Sequence, residues 1–233
     1  MMPAPHRLKP WLRNFAAEIA MNKTILFDLD GTLTDSGEGI INCAILALEH
    51  YGLPIPSQEV MRTFVGPPLH ESFLRHGVPA DKVDEAIAIY RKRYIPIGAF
   101  ENTPYPGVRE LLEKLKQQGF TLYVATSKPE TTSVKILEHF DLAKYFDCIC
   151  GASMDLSRNS KEAVIEYLLS LNGRADNMVM VGDTKFDIIG AKAHGIPGIG
   201  VSWGYGKVED MEAAGAVAIA HTMDELYKLL TEN

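Results

Sequence analysis

Cysteine is scarce in this 233-residue chain: only Cys43, Cys148 and Cys150 are present. An odd, low number cannot build a disulfide scaffold and fits a reducing, cytoplasmic setting. Cys148 and Cys150 stand two apart in an apolar run, and two thiols without further companions read as buried structural residues rather than a zinc site. Long hydrophobic runs are also missing. None approaches the roughly 18 apolar residues of a membrane span, so no membrane role is expected. Basic charge is not in excess either, with 23 Lys and Arg against 30 Asp and Glu for a net charge of −7. That balance repels phosphate backbones and argues against nucleic acid as a partner. A small anionic substrate then needs a metal or a local lysine to reverse the field. Internal repeats and low-complexity tracts are absent, and 46% hydrophobic residues with 19 Gly and 13 Pro are ordinary globular values.

Residues 1–20 differ from the rest of the chain, carrying Arg7, Lys9 and Arg13 against the single acid Glu18. Such a basic, mildly amphipathic stretch suits a targeting peptide, a surface helix or an extension. It has no continuous apolar core and no small-residue cleavage pattern, and Met21 opens MNKTILFDLD like a chain start. Residues 1–20 are therefore read as an extension outside the fold.

From Met21 the apolar runs are short and continuous: 23–29, 120–126, 146–150, 178–182, 196–201 and 216–220. Helical patterns lie between or after them at 106–118, 129–140, 161–171, 183–194 and 223–230, with Gly119, Gly173 and Gly195 as stops and Asn159/Ser160 as a cap. Continuous apolar strands alternating with helices predict an α/β fold, a doubly wound, mostly parallel sheet covered on both faces. Residues 37–103 break the rhythm. They contain no convincing strand and read as helices at 38–51, 57–65, 69–76 and 81–95. The expected organisation is thus a core domain of residues 21–36 and 104–233 with an inserted helical domain, 37–103. Such an insertion lies over the carboxyl ends of the strands, where these sheets bind ligands.

Carboxylates fall at those strand ends. Asp28 and Asp30, in Asp28-Leu29-Asp30-Gly31-Thr32, follow the first strand and on extended backbone point the same way. Two like charges so close are costly unless a cation or a shared proton relieves them. An Asx turn is the plain structural alternative, yet by chance the pattern arises in roughly one chain in several hundred. Asp183 and Asp187, in GDTKFD after the fourth strand, lie on one face of a helix start, where capping alone would explain them. Together with Asp28 and Asp30 they form a cluster of hard oxygens that suits Mg²⁺. Thr126 and Ser127 end the second strand before a helix, where hydroxyls and free N–H groups hold anions, although Ser127 also reads as a simple N-cap. Lys161 opens a helix, against the dipole's preference.

DLDGT after strand one, Thr126/Ser127 after strand two, Lys161 opening a helix and GDTKFD after strand four occur in that order. This arrangement resembles the haloacid dehalogenase (HAD) superfamily from Lys23 to about Leu230. DLDGTLTDS, VATSKP and GDTKFDIIGAKAHGI look most similar to its phosphoglycolate phosphatase-like branch, and residues 37–103 to its C1 helical cap. The resemblance implies that Asp28 is the nucleophile and forms an aspartyl-phosphate. Asp30 would protonate the leaving alkoxide and then deprotonate water. The Asp28 carboxylate, the Asp30 carbonyl and Asp183 would hold Mg²⁺, with Asp187 in support. Thr126, Ser127 and Lys161 would bind the phosphoryl oxygens, with Lys128 a rival for the lysine because residues 153–169 lack the branch's usual proline. A crowded acidic pocket is expected to favour the protonated form of Asp30. Val65-Gly66-Pro67-Pro68-Leu69 resembles the cap loop that touches the leaving group, or is a plain helix–helix turn.

Arg91-Lys92-Arg93 reads as a solvated face, and residues 198–206 as a connecting loop. The implied activity is Mg²⁺-dependent hydrolysis of a small phosphorylated metabolite such as phosphoglycolate, a nucleoside 5′-monophosphate or pyrophosphate, by a monomer or homodimer. The alternatives are a β-phosphoglucomutase-like transferase and a non-catalytic phospho-ligand binding protein.

Overall fold

The computed structural model describes residues 24–155 and 157–231, so the segment 1–20 lies outside the described residues. In chain order the strands are β1 (Thr24–Phe27), β2 (Thr34–Asp35), β3 (Thr103–Pro104), β4 (Thr121–Pro129), β5 (Cys148–Ala152), β6 (Met178–Gly182), β7 (Gly198–Val201) and β8 (Ala218–Ala220). The α-helices are α1 (Gly37–His50), α2 (Gln58–Met61), α3 (Leu69–Arg75), α4 (Val83–Arg93), α5 (Val108–Gln117), α6 (Glu130–His139), α7 (Lys161–Asn172), α8 (Lys185–Ala193), α9 (Val208–Ala214) and α10 (Met223–Thr231).

Six strands form one parallel sheet in the order β5-β4-β1-β6-β7-β8. β1 is central and buried over its whole length, as a continuous apolar run requires. Ile25 and Phe27 pack into one layer, while Leu26 packs into the other with Val164, Ile165 and Leu168 of α7. From β1 the chain builds outward through β4 to β5, then returns to β6 on the opposite side of β1. That reversal leaves a crevice at the carboxyl ends of β1, β4 and β6.

The regular elements between Gly37 and Gly98 are all helical, as the pattern predicts. The pair β2–β3 was not anticipated. Thr34 stands opposite Pro104 and Asp35 opposite Thr103, so the two crossings between sheet and helices are joined by an antiparallel ladder. Two residues per strand are too few to show a period in sequence. Also unanticipated is α9, between the last two strands. Gly39 and Gly98 make a second seam, since a Cβ on Gly39 would lie 1.8 Å from the Gly98 carbonyl oxygen. Just before Gly98 the chain takes a π-helical turn, Tyr94–Gly98, around Pro96, which has no N–H with which to continue α4.

One charge reading is corrected. Arg93 is not simply solvated: its two terminal nitrogens each lie 2.7 Å from a Glu101 oxygen, and Nη1 also meets Cys43 Sγ at 3.2 Å. This fork–fork pair ties the end of α4 to the segment leading into β3. Arg91 and Lys92 face water wholly or in part.

Candidate active site

Asp28 is the first residue past β1, and its N–H donates to the Val181 carbonyl of β6 at 2.9 Å, so the sheet ladder itself aims the side chain. The chain then folds back tightly, with the Thr34 N–H donating to the Leu29 carbonyl at 3.0 Å. Gly31 sits in this turn at φ +80°, and a Cβ there would come within 2.2 Å of Asp183 Oδ2. Only glycine both adopts that backbone and admits Asp183. Asp183 follows β6 and is fully buried. The Tyr205 N–H donates to its Oδ2 at 2.8 Å and the Thr32 hydroxyl to its Oδ1 at 3.3 Å. The 198–206 stretch is therefore strand β7 followed by a loop that reaches back to the acid cluster. The Trp203 indole N–H anchors it by donating to the Thr32 carbonyl at 3.1 Å.

Asp187 closes a capping box at the start of α8. Its Oδ2 accepts from the Thr184 N–H at 3.0 Å and from the Thr184 hydroxyl at 2.8 Å. Capping thus occupies Asp187 Oδ2 and leaves Oδ1 for another partner. Ser160 caps α7 through the Ala163 N–H, and Lys161, the first helical residue, turns its chain inward. Lys161 Nζ lies 2.7 Å from Asp28 Oδ1 and 2.8 Å from Asp187 Oδ1, and donates to the Ala125 carbonyl at 2.8 Å. The position that was unfavourable against the helix dipole is compensated by two carboxylates and the end of β4.

Lys128 serves the other acid. Its Nζ lies 2.8 Å from Asp30 Oδ2 and donates to the Tyr94 hydroxyl at 2.5 Å. The expected setting of Asp30, amid carboxylates alone, is thus replaced by direct contact with an ammonium. Thr126 is buried beside it, and its Oγ1 accepts from the Lys128 N–H at 3.3 Å. Ser127 is exposed, and Pro129 rather than Ser127 occupies the cap of α6. Gly66 lies over the loop after β6, where its Cβ would meet Thr184 Cγ2 at 3.6 Å; Pro67 is half-buried and Pro68 exposed.

Burial dominates the electrostatics. It pushes the Asp28 carboxyl up to about 6, with Lys161 opposing and Asp187 adding to the rise. Burial, then Asp187 and Asp28, hold Asp183 well above the ordinary carboxylate range. Burial pulls Lys161 down, but Asp187 and Asp28 outweigh it and leave the ammonium more basic than usual. Asp28, Asp183 and Asp187 bring one oxygen each to within 4.8 Å of one another. With Asp30, four carboxylates face two ammoniums, a formal −2 when all are ionised. Asp30 Oδ1 is buried and accepts no hydrogen bond, while Asp28 Oδ1 meets the Lys161 ammonium. An all-oxygen donor set with that excess charge and unclaimed lone pairs fits a hard divalent cation.

These shifts make stability depend on pH. Asp28 and Asp183 bind protons more tightly folded than unfolded, where a carboxyl has its ordinary value of 3.8. Between about pH 4 and pH 6 the folded state then holds more protons, so stability falls as pH rises through this window. In EDTA, the thermal midpoint is expected to be higher at pH 5 than at pH 7. Mg²⁺ is expected to raise the midpoint at pH 7 more than at pH 5, because it competes with protons for the same oxygens. A midpoint in EDTA that climbs over this pH range contradicts the assignment.

Sequence reasoning missed Thr32, Tyr94 and Tyr205. Thr32 was within reach, being part of the DLDGT motif. Tyr94 and Tyr205 lie far along the chain and carry no local motif.

A buried acid cluster at the switch point of a doubly wound parallel sheet, with a lysine on the first acid, marks the ligand site of an α/β protein. Comparison with known proteins specifies it. The family model of haloacid dehalogenase-like hydrolases matches residues 25–201. The chain is 41% identical over 209 residues to "Tyrosine-protein kinase PtkA" of Mycobacterium tuberculosis, covering 88% of this chain and 72% of that protein. It is 40% identical over 191 residues to a "5'-nucleotidase" of Pseudomonas aeruginosa, covering 81% and 86%. To a "Phosphoglycolate phosphatase" of Vibrio parahaemolyticus it is 31% identical over 218 residues, covering 89% and 96%. Among solved structures, that of "a predicted phosphatase from Clostridium acetobutylicum" superposes with a TM-score of 0.86 at 43% identity, covering 91% of this chain and 99% of that one. The chain belongs to the haloacid dehalogenase-like hydrolase family, and within it to the phosphoglycolate phosphatase-like branch.

Proposed function

We propose that this chain is a Mg²⁺-dependent phosphatase that hydrolyses a small phosphorylated metabolite through an aspartyl-phosphate on Asp28. The chain is a phosphoric monoester hydrolase. One observation carries the mechanism: Asp28 follows β1 with Lys161 Nζ at 2.7 Å, while Asp30, two residues on, has its own cation in Lys128 at 2.8 Å. Two carboxylates from one strand end are thereby separated into different environments, as a nucleophile and an acid/base require.

Phosphate monoesters hydrolyse so slowly in water that such enzymes lower the barrier by roughly 20 kcal/mol or more. Most of that comes from positioning and charge stabilisation. Lys161 holds Asp28 Oδ1, which leaves Oδ2 to attack phosphorus. As that bond forms the ester P–O bond breaks, and Asp30 gives its proton to the departing alkoxide. Asp30 then takes a proton from water, whose oxygen attacks phosphorus. The bond to Asp28 breaks, freeing inorganic phosphate and restoring both carboxyls. Thr126 and Lys161 hold the phosphoryl oxygens, and Ser127 is the further candidate. Asp28, Asp183 and the Asp30 carbonyl would hold Mg²⁺, with Asp187 in support, and the bound cation would neutralise the charge that otherwise keeps a carboxylate from a phosphate dianion. The helical residues 37–103 act as a cap over this crevice, with Gly66, Pro67 and Pro68 towards the leaving group. The proposed substrates are phosphoglycolate and nucleoside 5′-monophosphates, met in the cytoplasm.

The test is phosphate release from these esters, pyrophosphate and sugar phosphates, with Mg²⁺ or with EDTA. Release is expected with Mg²⁺, falling at least about 100-fold in EDTA, since a catalytic cation contributes several kcal/mol. EDTA-insensitive release overturns the metal's role. Isomerisation of a sugar phosphate without phosphate release marks a mutase instead. Label passing from ATP to a tyrosine-containing protein marks the transfer for which the mycobacterial relative is named.

A further inference from the structure

Lys128 bridges two parts of the molecule. On one side its ammonium holds Asp30 Oδ2 at 2.8 Å, in the turn after β1. On the other it donates to the Tyr94 hydroxyl at 2.5 Å, with the tyrosine ring centroid 4.7 Å away. All three groups are largely shielded, with side-chain exposure of 5% at Lys128 and 14% at Asp30, and Tyr94 at 6%. In such a setting an ammonium takes the orientation its partners dictate, because little water is present to replace one that is lost.

Tyr94 belongs to the helical segment. It opens the π-turn that Pro96 imposes, beside the Gly39–Gly98 seam. Its ring stacks on Tyr90 at 5.1 Å and 17°, Tyr90 meets Phe73 edge-on at 6.3 Å, and Phe73 meets Phe64 at 5.4 Å. Phe64 lies two residues before Gly66, which sits over Thr184. A chain of ring contacts thus runs from Phe64 to the hydroxyl on Lys128. Where that hydroxyl stands depends on how the helices are seated on the sheet.

At Asp30 the two carboxyl oxygens differ. Oδ2 is anchored to Lys128, whereas Oδ1 is buried and accepts no hydrogen bond. The anchored oxygen sets the rotation of the carboxyl and with it the direction of the free one. Resting on the reading of Asp30 as the acid/base, we infer that Tyr94 is a positioning residue for it. By fixing Lys128, Tyr94 makes protonation of the leaving group depend on the seated helical segment.

The experiment compares kcat/KM for an aliphatic ester, phosphoglycolate or the best nucleoside 5′-monophosphate, with that for p-nitrophenyl phosphate. This constant covers the steps up to departure of the leaving group. Both esters present the same phosphoryl group, so any change in phosphate binding cancels in their ratio, as does any inactive fraction of a preparation. An alkoxide needs a proton to leave, whereas p-nitrophenolate does not. Tyr94→Phe keeps the ring and its stacking but removes the hydroxyl. It is expected to lower kcat/KM for the aliphatic ester about tenfold more than for the aryl ester, the scale of one hydrogen bond to a charged group. Equal losses on both esters, a larger loss on the aryl ester or no loss on either overturns the inference. Asp28→Asn, measured alongside, separates the two claims: activity persisting there removes the aspartyl-phosphate reading, whatever Tyr94→Phe does to the ratio.

Discussion

Asp28→Asn is expected to lower phosphate release by roughly four orders of magnitude or more, the scale seen when a covalent nucleophile is removed. Asparagine has nearly the shape of aspartate, but its amide neither attacks phosphorus usefully nor carries the charge that Lys161 pairs with at 2.7 Å. Folding is expected to move the other way. Burial disfavours the Asp28 carboxylate, and Asp187 adds to that cost. Removing one charge from an overloaded cluster therefore leaves the metal-free variant at least as stable as the parent at pH 7, with Lys161 still paired to Asp187 at 2.8 Å. Phosphate release and a thermal melt on the same preparation check both halves. Release within about tenfold of the parent, with contaminating phosphatase excluded, rejects Asp28 as nucleophile.

Lys161→Met should instead damage both properties. The variant keeps a chain of similar length and removes the cation shared by Asp28 and Asp187. Breaking a buried pair by deleting one partner typically costs about 3–5 kcal/mol, because the remaining charge is left without compensation. The loss is expected to be large at pH 7.5 and smaller near pH 5, since Asp28, already raised to about 6 with Lys161 present, takes up a proton more readily without it. Urea unfolding in EDTA at the two pH values measures this. On activity, loss of the positive group proposed to bind the transferring phosphoryl is expected to cost about 100- to 1,000-fold, on aliphatic and aryl esters alike. That equal loss separates Lys161 from Lys128, whose partner is Asp30. A Lys161→Met protein that is as stable as the parent at pH 7.5 contradicts the pairing.

Much of the site is legible in the chain because its parts follow strands directly. Asp28 and Asp183 each stand immediately after, or one residue beyond, a continuous apolar run. A parallel sheet aligns the ends of its strands, so residues at the same offset converge however far apart they lie in sequence. Lys161 was legible for another reason: a cation at a helix start contradicts local preference, and here two carboxylates supply what the dipole does not. Asp187 was legible as a helix-start acid, whereas its contact with Lys161 through the other oxygen was not.

The surroundings of Asp30 and Asp183 were not legible. The groups on Asp183 come from Thr32, a short turn after β1, and from the Tyr205 backbone, in a loop whose path is set by Trp203 packing back on Thr32. Backbone donors have no sequence signature. The role of Lys128 depended on which way a long side chain turns, and Ser127, its neighbour, shows the other outcome by facing solvent. The β2–β3 ladder and the contact of Tyr94 with Lys128 join residues tens of positions apart through two-residue strands and a single hydroxyl. The sequence by itself determined the sheet, the helical insertion and the acids at the strand ends, because periodicity and strand-end position are local properties repeated along the chain. Tertiary structure alone decided which lysine meets which acid and which tyrosine reaches the site. Those pairings depend on side-chain direction and on how the helices seat over the sheet, and neither is encoded in any short window of residues.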